Sequence, residues 1–398
     1  MKSRIFVCAA LAWASLAHAQ SSVLVWGRVG GGVQVTSNVQ KATGGTGARW
    51  SQGSDWGVNI LAIKGTEDLG NGNAAMFLLE SAFTPTGSLV GGLMFQRAAW
   101  VALKNSRLGT IRFGQGPMVN NYVWEFDPLL EENFGAQSFV AYRNGSRLSN
   151  GIRYLSPDFH GFSFEAQLNL GNSTVNFNSG DPGNAGKAGR ADGFALAYTN
   201  GDFQVRLLWD EIRNVQGKQD NLFRYSREAF VGIRDRFGPL RVQAAYTHYS
   251  APDTPAGLSD SADLWWAGAT YDVNPALHVH GAVYTMRVGP GRWTEDHDGA
   301  ARTTMIGVGC MVDLSKRTFL YSMAAHVFNS AHANFGVNPQ NPGARVGQGR
   351  LGHQSASGAR AERPVCRDRD AVLTNGVDRS ARRQPGRISR NPRTRTPP

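Results

Sequence analysis

"GFSFEAQLNL", residues 161–170, decides how the rest of this chain is read. After Gly161, one alternate set is Phe162, Phe164, Ala166, Leu168 and Leu170, and the other is Ser163, Glu165, Gln167 and Asn169. A period of two belongs to a β-strand with one apolar and one polar face. In a soluble sandwich the apolar face would point into the core. In a membrane barrel it would point out at lipid, and Glu165, Gln167 and Asn169 would face a water-filled bore.

The pattern repeats along the chain. Phe203, Val205, Leu207 and Trp209 alternate with Gln204, Arg206 and Leu208. Leu240, Val242, Ala244 and Tyr246 alternate with Arg241, Gln243 and Ala245. Strand 95–103 is weaker, with small residues in both sets. Fifteen strands are expected, near 23–36, 55–64, 74–83, 95–103, 110–117, 147–155, 162–170, 191–199, 203–213, 228–236, 239–249, 262–272, 277–287, 302–313 and 317–328.

Their connections alternate in length. Tight reversals such as "KNSRLG" 104–109, "SPDFHG" 156–161 and "RFGP" 236–239 carry the Gly, Asn, Asp or Pro that sharp turns need. Between them lie long polar connections, including 37–54, 84–94, 118–146, 171–190, 250–261 and 288–301. Short and long in turn is the habit of an up-and-down antiparallel β-barrel in an outer membrane. A sandwich predicts no such asymmetry, nor a reason for Trp100, Phe162, Tyr246 and Tyr271 to sit near strand ends, where rings suit a membrane interface. The fold class expected is all-β, a transmembrane barrel.

Composition agrees. Charged residues are 18% of the 398, below the roughly 25% of soluble domains. Mean hydropathy is −0.32, and the body has no apolar run long enough for a membrane helix. A barrel wall needs none, because only every second residue meets lipid. The start, "MKSRIFVCAALAWASLAHAQ", has a basic head, an apolar stretch and a small-x-small "AHA", the pattern of a cleaved export signal at 1–19. Cys8 leaves with it, and Cys310 and Cys366 show neither metal-type spacing nor a disulfide framework.

The net charge of +11 is unevenly spread. Residues 344–398 hold thirteen Arg, no Lys and four acids, so about +9 lies there and the body between signal and tail is near neutral. The charge therefore does not indicate a nucleic-acid partner. From 336 to 398 the alternation is lost, and 344–398 have no Phe, Tyr or Trp. That segment is expected to be disordered, or to be the out-of-frame product of a GC-rich gene. A short alternating strand ending in Phe in another reading frame would support the second account, and its absence would refute it.

Several segments resemble the Gram-negative general porins, in particular their β-proteobacterial branch. They are "SSVLVWGRVGGGV", "KGTEDLGNGNAAMFLLESAF", "FQRAAWVALKNSRLGTIRFG", "NGIRYLSPDFHGFSFEAQ" and "DLSKRTFLYSMAAHVF", in the family's order over roughly 21–335. The resemblance implies a sixteen-stranded barrel spanning 20–335, a homotrimer, and an outer-membrane place beside lipid and lipopolysaccharide. The function implied is passive diffusion of ions and small hydrophilic solutes. Three positions depart from the family pattern: Gly30 where an acid is usual, and Ile60 and Gln115 where Arg is usual. Two lumen cations are thus missing, and a weaker anion preference than is common in the branch is expected.

The connection 118–146 contains Glu125, Asp127, Glu131 and Glu132. Loops this long in compact folds are usually functional, and in the family this one folds into the bore as a constriction. Arg28 and Arg153 are expected on the facing wall from their strand faces, because a charge facing lipid at mid-depth costs about 2–4 kcal/mol, and the resemblance implies the same place for Arg97 in "FQRAAWV". Acids on the loop opposite cations on the wall would set a field across the slot. No nucleophile motif or catalytic cluster stands out, so no enzyme, cofactor or metal is expected. His278 and His280 share a strand face without a third ligand.

Overall fold

The computed structural model describes residues 22–40, 46–52, 56–84, 87–92, 94–129, 134–140, 143, 147–171, 189–294, 297–330, 333, 335–337 and 361–369, with backbone alone at 39–40, 46, 91 and 361–369. The export signal expected at 1–19 and most of the segment 336–398 lie outside the described residues. Among the described residues, eighteen strand segments form one sheet. In chain order they are β1 (Ser22–Arg28), β2 (Val33–Gln40), β3 (Thr46–Gln52), β4 (Asn59–Gly70), β5 (Asn73–Phe83) and β6 (Ala98–Asn105). Next come β7 (Gly109–Pro117), β8 (Arg147–Leu155), β9 (Phe162–Asn169), β10 (Ala191–Asn200), β11 (Phe203–Ile212) and β12 (Arg227–Phe237). The last are β13 (Leu240–Ser250), β14 (Ser261–Asn274), β15 (Leu277–Val288), β16 (Ala301–Asp313), β17 (Phe319–Asn329) and β18 (Ala361–Arg369).

From β4 to β17 each strand pairs antiparallel with the next, the up-and-down order that short hairpins allow. The beginning is different. The expected strand 23–36 is two segments, and the expected loop 37–54 holds a strand. β1 pairs with β4 from Ser22↔Thr66 to Arg28↔Ile60, while β2 pairs with β3 from Val33↔Gln52 to Gln40↔Thr46. The first two staves are thus each interrupted midway. Gly30, Gly31 and Gly32 explain one interruption, since a run without side chains weakens a strand. β3 escaped the sequence reading because "TGARWSQ" offers one bulky apolar side chain, Trp50. The backbone of β18 runs along β17 and meets β2 at Val365↔Gln34 and Cys366↔Val33.

The two faces answer the opening question. Phe162 and Phe164 are 50% and 45% exposed, whereas Glu165, Gln167 and Asn169 are 9%, 8% and 1%. Val101, Phe113, Phe194, Leu207, Val231, Val283, Ile306 and Val308 are likewise exposed on the outside. An apolar surface of that extent suits lipid and not water. Strands of 8 to 14 residues from β4 to β17 match the roughly 9–11 residues that cross a bilayer at a tilt. The buried residues instead lie on the inward set, where a loop covers them.

Candidate functional site

The chain leaves the wall at Pro117, at the end of β7, and rejoins it at Arg147, at the start of β8. In between it forms a 3-10 segment, Val119–Phe126, and a one-turn helix, Gln137–Val140. Val119, Val123, Phe126, Leu129, Phe134, Phe139 and Val140 are all buried. They share one apolar cluster with wall residues Leu208, Phe230, Leu264, Trp266, Tyr284, Met286, Met305, Met323 and Val327. The connection therefore fills part of the bore. Fully burying side chains of this size contributes about 1.5–3 kcal/mol each, ample reason for an apolar loop to fold inward.

Wall glycines make room for it. A Cβ added at Gly193 would stand 2.6 Å from Val119, one at Gly232 2.5 Å from Phe126, and one at Gly307 2.5 Å from Leu129. Each distance is well inside van der Waals contact, so each loop side chain occupies the space that a wall side chain would need.

Polar bonds complete the seating. Asp127 accepts from the backbone N–H groups of Leu129 (3.0 Å) and Ala136 (2.8 Å) and from the Tyr284 hydroxyl. Trp266 Nε1 donates to the Phe126 carbonyl at 2.8 Å, and Gln243 Nε2 to the Glu125 carbonyl at 3.1 Å. The Val119 N–H donates to Gln167 Oε1 at 2.9 Å, and Gln167 Nε2 in turn donates to Asn169 Oδ1 at 2.6 Å. At the far end of the loop, Arg143 is fully buried. It reaches Asp210 at 2.5 Å, Glu228 at 3.5 Å, and Ser226 Oγ and carbonyl both at 2.9 Å. One cation thus holds two buried carboxylates, a set in which losing any member leaves uncompensated charge.

Beside the seated loop a slot remains open. Arg112, Pro117, Met118, Asn121, Tyr122, Trp124, Glu125 and Arg153 line a cavity of about 430 Å³. Tyr122 stands at its centre. The Arg206 guanidinium lies 3.6 Å from its ring centroid and that of Arg153 lies 5.5 Å away, so two cations face one ring. The Tyr122 hydroxyl donates to Glu165, whose other oxygen takes Arg153 Nε at 2.7 Å. Burial, and then the Glu165 carboxylate, push the Tyr122 phenol up to about 12, so it remains a donor. Arg206 also bonds Glu125 Oε2 at 3.1 Å, and Arg234 bonds the Glu125 carbonyl at 3.4 Å. Arg112 stacks over Trp100 at 4.1 Å.

The expected site residues fall into separate places. Glu125, Arg153 and Glu165 come together at the slot. Asp127 turns into the loop's own packing, where it acts as a staple; burial raises its carboxyl above the ordinary value, against the pull of its three donors. Gln167 and Asn169 are on the inward set but anchor the backbone, Asn169 through the Leu148 carbonyl at 3.1 Å. Arg28 bonds the Val58 carbonyl at 2.8 Å and lies over Trp56, away from the slot. Arg97 is closed by Glu80 at 2.5 Å. Glu131 and Glu132 lie outside the described residues. Sequence reasoning missed Arg112, Arg206, Arg234 and Tyr122. Phase alone could have found the three arginines: Arg206 shares the polar set of Gln204, Arg234 lies opposite Gln204, and Arg112 lies opposite Arg153.

Comparison with known proteins places the chain. A family model described as Gram-negative porin matches residues 7–332. An outer membrane porin protein of Bordetella pertussis is 26% identical over 384 residues, covering 83% of this chain and 95% of that one. Outer membrane porin protein 32 of Delftia acidovorans is 26% identical over 370 residues, covering 89% and 98%. Among solved structures, an anion-selective porin from Comamonas acidovorans superposes with a TM-score of 0.68 at 22% identity, over 88% of this chain and 99% of that one.

Proposed function

The chain belongs to the Gram-negative porin family, and from that premise we propose that the slot beside Tyr122 and Glu125 is the selectivity constriction of its channel. The protein is an outer-membrane porin, a barrel through which ions and small hydrophilic solutes diffuse. The observation that carries the assignment of the site is the insertion of 118–129 and 134–140 into the bore, held by Asp127, Trp266 and the apolar cluster. Such a seat narrows the path and leaves a slot between the inserted segment and the wall that runs from β7 to β12.

That wall is basic. Arg112, Arg153, Arg206 and Arg234 outnumber the acids they face, Glu125 and Glu165. Cations around a narrow slot with low-dielectric walls focus the field and favour anions. Ile60 and Gln115 subtract from that field but leave these four arginines in place. The relative from Comamonas acidovorans is itself described as anion-selective. We propose an anion preference for this chain, set mainly at Arg153 and Arg206. Assembly as a homotrimer is proposed from family membership.

Planar-bilayer recordings in a salt gradient test the reading. The expected result is conductance in steps of three, with a reversal potential of anion-selective sign that moves toward zero in Arg206→Gln. Cation selectivity in the wild type, or a reversal potential that Arg206→Gln leaves untouched, would refute the assignment of the slot.

A further inference from the structure

One part of the inner wall is apolar although the inserted loop does not cover it. The register sets Leu24 opposite Lys64, Lys64 opposite Leu78, and Leu78 opposite Trp100, a single row across β1, β4, β5 and β6. The neighbouring row runs Thr66, Met76, Ala102, Arg112 and Arg153. Residues directly opposite share a face of a sheet, as do residues two apart on one strand. The slot residue Arg153 therefore fixes both rows as inward. Trp100, expected from the sequence at a membrane interface, faces the bore. The outward set at this place is Val23, Val25, Leu61, Val101 and Phe113, all exposed. On the inner side Leu24 and Trp26 are 57% and 38% exposed, and Met76 and Leu78 are half-buried beside Trp100. None of these four belongs to the cluster that seats the loop.

Apolar side chains turned to water forfeit the stabilisation that burial would return, and a polar bore avoids that loss. The row also carries a cation. Lys64 stands between Leu24 and Leu78, is exposed, and among the described residues forms no ion pair. Glu80, two residues along β5 on the same face, is taken by Arg97 at 2.5 Å. Adjacent strands are about 4.8 Å apart, so the long Lys64 stem holds its ammonium beside the apolar side chains on either hand. Past Trp100 the next cation is Arg112, whose guanidinium lies 4.1 Å from the indole centroid and which lines the slot. The wall thus leads from an unpaired ammonium, over apolar side chains, to the arginines of the slot.

Resting on the channel reading for the water-filled bore and its anion preference, we propose that Leu24, Trp26, Lys64, Met76 and Leu78 form a shelf that selects amphipathic anions, namely carboxylates with a flat apolar body such as an aromatic ring. The carboxylate pairs with Lys64 while the ring lies over Leu24, Trp26 and Leu78, and Arg112 receives the charge at the slot. A small inorganic anion uses the cations alone. An uncharged ring touches the apolar side chains but leaves the ammonium without a partner. Only a solute with both parts makes both contacts at once, which is what gives the shelf its preference.

The test uses the purified full-length porin in planar bilayers, with benzoate and acetate as probes of equal charge and block of the chloride current as the readout. Benzoate should block the wild type at a roughly fivefold lower concentration than acetate, as for partial burial of a ring. Benzyl alcohol, a ring without charge, should not block. Trp26→Gln/Leu78→Asn should bring the two carboxylates together. Lys64→Gln should raise the blocking concentration of benzoate roughly threefold, as for loss of an exposed ion pair. Lys316→Gln, in the turn between β16 and β17, should change neither. Equal block of the wild type by benzoate and acetate, block by benzyl alcohol as strong as by benzoate, or a benzoate preference that survives the double variant would overturn the proposal. So would a benzoate block that Lys64→Gln leaves unchanged. Should the double variant not fold, Trp26→Gln alone, at an exposed position, carries the same comparison. Reversal potentials in a salt gradient are recorded on the same channels. An anion-selective wild type that treats benzoate and acetate alike would break this inference alone, and a cation-selective one that still prefers benzoate would break the constriction reading alone.

Discussion

The inner wall of the barrel has two unlike halves. Strands β14 to β17 present Trp266, Tyr284, Met286, Met305, Met323 and Val327 to the inserted loop. Strands β7 to β9, with β11 and β12, present Arg112, Arg153, Glu165, Arg206 and Arg234 to the open slot. The first half is dry and packed like a protein interior. The second is polar: Arg153 pairs with Glu165 and Arg206 with Glu125, while Arg112 lies over Trp100 and Arg234 bonds the Glu125 carbonyl. The difference teaches where position and chemistry are separately encoded: apolar contact holds the loop where it rests, and on the reading proposed above the arginine side decides what the opening attracts. Between them, Tyr122 and Glu125 belong to the loop but bond to the charged side.

The largest effect should come from the loop's far anchor. Arg143→Met leaves Asp210 and Glu228 buried without their cation, and a loss of about 3–5 kcal/mol is expected. It should be visible as a lowered unfolding midpoint of the detergent-solubilised barrel. Phe126→Ala tests the dry half directly. Truncating a buried Phe costs about 3–5 kcal/mol where the site cannot collapse. If the loop loosens as a unit, single-channel current should rise and become noisier while its selectivity keeps its sign. An unchanged current would mean that the apolar cluster does not set the loop's position.

A smaller effect is expected at the join. Tyr284→Phe removes one donor to the buried Asp127, worth about 1–3 kcal/mol. The same carboxyl makes loop seating depend on pH. Burial raises Asp127 above its ordinary 3.8 when the loop is seated, so seating is most favoured below that value and weakens as pH rises through the raised one. Conductance should therefore fall on acidification, and Asp127→Asn should flatten the profile. A wild-type channel that opened wider in acid would contradict the sign. The smallest effect on stability belongs to Arg206→Gln, where the partly exposed pair with Glu125 is worth at most about 1 kcal/mol. This is nevertheless the change expected to move the reversal potential.

Much of this architecture could be read before the structure. The span 147–155 was expected as a strand and is one, and from β5 to β17 the ends agree within a few residues, because one face of each strand must be apolar throughout. The insertion of 118–146 was expected from length and resemblance. The division of labour among its acids was not, because Glu125 and Asp127 are two residues apart in a segment with no fixed period, and tertiary contacts alone turn one to the slot and the other to Tyr284. Arg206 is visible in the polar set of its strand, but nothing in the sequence links that strand to the inserted loop. Arg28 is expected at the bore from its strand face and Arg97 from a family-like motif, and local partners hold both. β18 could not be foreseen: Glu362 and Asp368 occupy one alternate set, Arg363, Arg367 and Arg369 the other, and Pro364 interrupts the run.

The hollows left by Gly193, Gly232 and Gly307 mean that the calibre of this channel is governed from behind. A single methyl group added at Gly307, on β16, would press on Leu129 and push the inserted segment away from that side of the wall, with no charge altered. A lineage could thus resize its sieve by trading hydrogen for carbon at a place no passing solute ever touches.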